Sequence, residues 1–446
     1  VVRIDALASG VGAALVTGTG SLSPGEIAAL KPAQIAALST TVIQAFTTAQ
    51  VAAISGAGIA ALTTTQLNIL SRSQISALTP YQMGAFVSAQ IAALPTGDIN
   101  ALTPKQLASL SPAGITGLSS GEVRGLSTNQ IAGLGSSQIK ALGVTRLAGL
   151  APAQLAAISI TATAMFSLGL VQALSTTQFA ALTTGQIHVL SGAQVSGMTT
   201  ADVAALTPAQ IASLSVSGID GLATAAIAIL TTAQAAALSP AQIASFSSLQ
   251  VAALSISDVI SLSTAQVAAL STASVGGLSA GGISALSTSQ IAAFSGALIV
   301  ALKPSQIASL TPSQIAAFST VQLGAMTRAQ GAVFSSGQLA ALATGQLATL
   351  SRDGIAGLTT AAVAALTTMQ VSSFTTGQIA SLTQAQVYAL STGNIAALSG
   401  AQIGALTTAN IHGLTTNEIT ALSTAQVAAF MPGQLAAFGA GQAGAL

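Results

Sequence analysis

The sequence predicts an all-α solenoid of very short capped helices, one to each eight-residue repeat. Three observations carry this. A period of eight runs without insertion or deletion from Leu22 to Leu446, and all 54 residues at every eighth position are Leu, Phe, Ile or Met. Of the 53 repeats counted from Ser23, 42 open on Ser or Thr and 32 have Gln three residues later. Eleven of the twelve Pro stand immediately after the opening residue.

The consensus is [S/T]-[T/P]-x-Q-[I/V]-A-[A/G]-L, and each position has a local reason. Ser or Thr followed three residues on by Gln or Glu is a capping box: the hydroxyl accepts an early helical N–H, and the longer side chain reaches back to the cap N–H. Pro in second place, as in Pro24, Pro32 and Pro312, sits at the first helical residue, where its missing N–H costs nothing. Ala, Gln and Leu then favour helix. The fifth position is Ile, Val, Leu, Met or Phe in 49 of 53 repeats, and Thr163, Ala235, Gly331 and Ala443 are the exceptions. The fifth and eighth residues share one helical face. The next cap must leave helical geometry, so each helix ends after about one and a half turns. One unbroken helix is excluded by phase, because an eight-residue stripe drifts about 80° per repeat around it.

So short a helix is unstable alone in water. Its apolar edge must be buried by other repeats, and the expectation is a solenoid in which each repeat packs on those just before and after it. The small seventh position would let backbones approach closely. No charged residue from Glu26 onward falls on the fifth, seventh or eighth position. Those three are therefore expected to be buried, with the other five outward or capping. On that view Gln266→Ala removes only a cap, about 1 kcal/mol. A β-solenoid is the alternative, favoured by Ile and Val but opposed by the Pro placement, the capping box and the lack of alternation. Residues 1–21 fall outside the register and are expected to be a cap or linker, and 22–446 one continuous solenoid. Ser159–Phe166 and Ser167–Leu174 keep the leucine phase but lack Gln, and drift or a local bend is expected there. The last repeat has no polar cap, which suggests that the array continues or docks on another copy.

Composition excludes several functions. Only 4% of the 446 residues are charged, against about 25% in ordinary soluble domains. Net charge is +1 and the ten Lys and Arg are scattered, so nucleic acid has no electrostatic footprint. Polar residues interrupt every few positions, so no transmembrane segment is expected. The chain has no Cys, which excludes disulfides and thiol chemistry. Apolar low-complexity composition disfavours simple disorder.

Catalysis needs converging acids, bases or nucleophiles. His188 and His412 both occupy sixth positions but lie far apart along the chain. Arg352 and Asp353 read as a solvated surface turn. Gly276-Gly277 and Gly281-Gly282 lack the lysine of a phosphate loop. No catalytic, cofactor-binding or metal-binding residue is assigned, no cofactor is expected, and the chain is not expected to be an enzyme.

Tracts such as TPAQIASL, TTAQVAAL and STAQVAAL resemble the octapeptide arrays of very large bacterial surface proteins of the adhesin-like, "haem utilisation or adhesion" kind. The resemblance covers about 22–446. It implies export and an extracellular or cell-surface structural role, and it brings no haem-binding residue to this chain. The expected function is a structural protein, the self-assembling subunit of an extracellular bacterial filament, sheath or appendage, with copies of itself as partners, other surfaces or cells besides, and no nucleic acid. Alternatives are a monomeric adhesin stalk carrying a binding domain outside this chain, or an ice- or glycan-binding solenoid suggested by Thr pairs such as Thr183-Thr184.

Overall fold

Each repeat begins where the backbone leaves helical geometry. Ser39 is extended, with φ −70° and ψ 155°, and its hydroxyl accepts the N–H of Val42 at the head of helix Thr40–Gln44. The same start recurs along the computed structural model, which describes residues 22–446. The expectation for residues 1–21 lies outside the described residues. Helices of about five residues follow one another, and Pro takes the first helical place in Pro24–Ala28, Pro208–Ser213 and Pro312–Ala316. The described residues contain no strand, so the helical reading stands and the β alternative does not.

The described residues form two compact units that divide between Leu222 and Ala223. Within each, short helices coil into a solenoid, but the packing partners are not the adjacent repeats. Pro24–Ala28 packs on Thr48–Ala53, and Arg328–Gly331 on Arg352–Gly357, each the third repeat along. Hydrogen bonds between coils span 28 residues, as from Gln66 to Leu38. At eight residues per repeat a coil therefore holds three and a half repeats. Each helix straddles the junction between two helices of the coil before it, like brickwork. A half-integral number also explains why odd and even repeats look alike: going up one coil exchanges positions one to four with positions five to eight.

The core is built from the fifth and eighth positions. Ile27, Ile35, Ile59, Leu107 and Val203 are wholly buried, and leucines such as Leu30, Leu62 and Leu270 nearly so. The expected inside set needs one correction. The fourth position is buried with them, as at Gln66, Gln82, Gln266 and Gln378, while the seventh is mostly half-buried. Helical geometry gives the reason. At about 100° per residue, positions four, eight and five form one continuous arc, and the fourth lies between the seventh and the eighth. Burying the seventh and the fifth cannot leave the fourth outside.

The seventh position meets backbone of the coil below. A Cβ added to Gly277 would overlap the carbonyl of Ser248, and one on Gly413 the carbonyl of Gln384. These two glycines belong to the two repeats among the described residues whose helix tightens to a 3-10 turn, Val275–Gly277 and Ile411–Gly413. Both carry a short fourth residue, Ser274 and Asn410. In both, glycine stands where the seventh position meets the backbone of the coil below. The repeats at Ser159 and Ser167 do not break the pattern: Ser159 caps Ile160–Thr163 and Ser167 caps Leu168–Ala173.

Two glycines give a paired test. Gly277→Ala is expected to destabilise its coil by about 1–3 kcal/mol through overpacking. Gly433→Ala, exposed in helix Pro432–Ala436 with open space around it, is expected to stabilise by about 0.5–1 kcal/mol. Local hydrogen exchange in the full chain reads both. Leu270→Asp, measured the same way, should open its coil, because it buries an unpaired charge.

Candidate functional site

A five-residue helix leaves most of its backbone groups unpaired: the first four N–H and last four C=O of any α-helix have no partner inside it. The fourth-position Gln supplies partners at both ends of two different helices. Gln266 is typical. Its Oε1 accepts the Ser263 N–H at 2.7 Å, and its own N–H donates to the Ser263 hydroxyl at 3.2 Å. Its Nε2 donates to the carbonyls of Ala235, Ala236 and Leu238 at 3.1, 3.2 and 2.7 Å. Those carbonyls end the helix four repeats earlier, one coil below. The side chain thus caps its own N-terminus with its oxygen and the lower helix's C-terminus with its nitrogen. The same bridge recurs at Gln66, Gln138, Gln314 and Gln426. Where the first residue is Val87, Ala151 or Met431, the hydroxyl half of the capping box is lost, yet the glutamine oxygen still takes the cap N–H.

Substitutions at this position separate the two halves of the bridge. Asn410 keeps both, accepting from the Thr407 N–H and donating to the Ile379 and Leu382 carbonyls at 3.2 and 3.0 Å. Arg146 keeps only the donor half. Its guanidinium donates to Leu118 and Thr116 one coil below, at 2.7 and 2.9 Å, and to Leu142 at 2.8 Å. Arginine has no acceptor for a cap N–H. There the backbone turns instead at Gly143, φ 77°, the one positive-φ glycine among the described residues. Gly354 has no side chain to offer, and the Ser351 N–H itself donates to the Leu323 carbonyl at 3.2 Å, while its hydroxyl bonds the Met326 carbonyl.

Carboxylates keep only the acceptor half. Glu122 takes the Ser119 N–H on one oxygen and the Thr96 hydroxyl on the other. Asp202 takes Thr199 and Thr176 in the same way. Asp258 takes the N–H and hydroxyl of Ser255 on one oxygen, and its Oδ1 is buried with no partner. Glu418 takes the Thr415 N–H at 2.7 Å. Burial raises its pKa, against the lowering effect of the Thr415 bonds. Glu26, at the exposed first repeat, shifts the other way because the Ser23 N–H and then the Ser23 hydroxyl bond its carboxylate.

The remaining chemistry-bearing residues stay apart. His188 is exposed, with Nδ1 2.8 Å from the Ser213 carbonyl. His412 is exposed in the other unit, on the tight turn Ile411–Gly413. Arg352 and Asp353 lie in the first turn of helix Arg352–Gly357 and not in a surface turn. The ion pair among the described residues joins the exposed Arg72 to the half-buried Asp98 at 3.3 Å. No group of three or more His, Cys, Asp or Glu able to hold a metal occurs among the described residues, and no described helix is long and apolar enough to cross a membrane.

The double role of Gln went unread in the repeat, although a signal was present. A pure N-cap partner should favour Glu, which the helix dipole stabilises at an N-terminus. Gln outnumbers Glu here by 32 to three, the three being Glu26, Glu122 and Glu418. Only the amide carries a donor, and the donor half accounts for the excess.

Short helices locked coil to coil through a repeated buried amide define a repeat protein of the α-solenoid class. The model of the ALTTAQ repeat family matches residues 27–64, 91–128, 113–144, 179–216, 259–296 and 379–416. Its hexapeptide runs from the seventh position of one repeat to the fourth of the next, as in Ala181-Leu182-Thr183-Thr184-Gly185-Gln186, and so contains the buried leucine, the cap and the bridging Gln together. No curated protein matches the sequence.

Gln266→Ala orphans a cap N–H and the lower helix's carbonyls at once. It is expected to cost roughly 2–4 kcal/mol of local stability, more than a simple cap, because each buried unpaired group costs about 1–3 kcal/mol. Arg146→Ala should likewise expose the carbonyls of Thr116, Leu118 and Leu142 to faster local opening. Hydrogen exchange resolved to the repeats on either side of each bridge checks both.

Proposed function

We propose that this chain is a structural protein whose coils associate with copies of themselves in an extracellular bacterial filament, sheath or surface appendage, and that it is not an enzyme. The observation that carries the reading is where the polar chemistry goes. Glutamine, the repeat's most functional side chain, is consumed inside the solenoid by capping. The outward first three positions are left to Ser, Thr, Ala, Gly and Pro, with few charges. A surface so weakly charged lacks the usual guard against association, and a periodic surface lets weak contacts add along its length. Because Gln is buried, glutamine rows are not available to bond between copies, so contacts would be made by hydroxyls and small apolar residues. The export and surface location implied by the resemblance to adhesin-like arrays fit the same reading.

Electron microscopy of the purified chain over a range of concentrations tests the proposal. Ordered fibres or tubes that lengthen with concentration are expected. Particles that stay single at every concentration would contradict it and favour the stalk reading.

A further inference from the structure

Glu418 stands where the repeat places its bridging amide. It is 2% exposed, and one oxygen accepts the Thr415 N–H at 2.7 Å. The 28-, 30- and 31-residue offsets of the bridge at Gln266 correspond at Glu418 to the carbonyls of Leu390, Tyr388 and Val387. These end helix Gln384–Tyr388, at the negative end of its dipole. A carboxylate offers that end a second negative charge and no proton. A carboxylic acid offers an O–H and is otherwise the shape of the amide, one acceptor and one donor on a planar carbon. Glu122 and Asp202 solve the same problem with threonine hydroxyls; no such hydroxyl bonds Glu418 across coils.

We propose that Glu418 is an acid-closed joint: protonated, it bridges the coils as Gln does, and deprotonated, it releases helix Gln384–Tyr388 from the repeat above. The raised pKa, caused first by desolvation, agrees with this geometry. The sign follows from linkage. The folded pKa lies above the ordinary value of 4.5, so the joint is closed below the unfolded pKa and its contribution is lost as pH rises through the folded one. The elements packed against it carry no Lys or Arg. Their titratable side chains are Tyr388 in the helix below and His412 in the preceding repeat, both at outward sixth positions and exposed, while helices Thr392–Ala396 and Ala440–Ala443 contribute none.

The test is hydrogen exchange of the full chain at pH 4 to 8, resolved to residues 383–390 and 415–422. Glu418→Gln is the reference at each pH, so that intrinsic exchange chemistry cancels. Wild type and E418Q should open alike at pH 4. Above it, wild type should open faster relative to E418Q by up to tenfold per pH unit between the unfolded and folded pKa values, then level off. Glu418→Ala should open at every pH. A wild-type to E418Q ratio independent of pH, whether at unity or not, overturns the proposal, because the bridge would then not depend on the proton.

Discussion

The structure depends on what a five-residue helix cannot do for itself. Such a helix closes one or two internal hydrogen bonds and leaves the rest of its backbone polar groups unpaired. Stacked in a dry core, those groups would cost more than the burial of one Ile and one Leu per repeat returns. The fourth-position glutamine removes the conflict. It pairs groups at the start of one helix and the end of another with a single buried side chain, as Gln266 does from Ser263 to Leu238. Coil spacing, register and the choice of partner four repeats back all follow from the reach of that amide.

Departures from glutamine support this view. At Ser274 and Asn410 the side chain is short, the helix tightens to a 3-10 turn and glycine stands at the contact. When only the donor remains, at Arg146, the backbone turns through Gly143. When only the acceptor remains, a hydroxyl one coil away is recruited at Glu122 and Asp202, while Asp258 keeps an unpartnered oxygen. The array tolerates all of these because each joint is local and the buried fifth and eighth positions of the neighbouring repeats continue around it.

Much of the fold was legible in the sequence because its determinants are local. Caps, first-turn prolines and the Ile–Leu edge act within eight residues, and the structure places them as the repeat implies. What was not legible is long-range. Nothing within one octapeptide encodes a coil of three and a half repeats, so the local pattern predicts adjacent repeats as packing partners where the third and fourth serve. Glutamine reads as an outward cap because its oxygen has a local partner. Its nitrogen has one only 28 residues away, which the local pattern does not display except through the scarcity of Glu.

The side-chain amide protons of the bridging glutamines give the most direct measurement. Buried Nε2 groups bonded to helix carbonyls should exchange with solvent orders of magnitude more slowly than free amides. In a nitrogen-resolved NMR exchange experiment, glutamines such as Gln266, Gln314 and Gln378 should keep their side-chain protons about as long as the backbone amides around them. Side-chain amides that all exchange at the rate of free glutamine would contradict the bridge, and with it the explanation of how so short a helix is held.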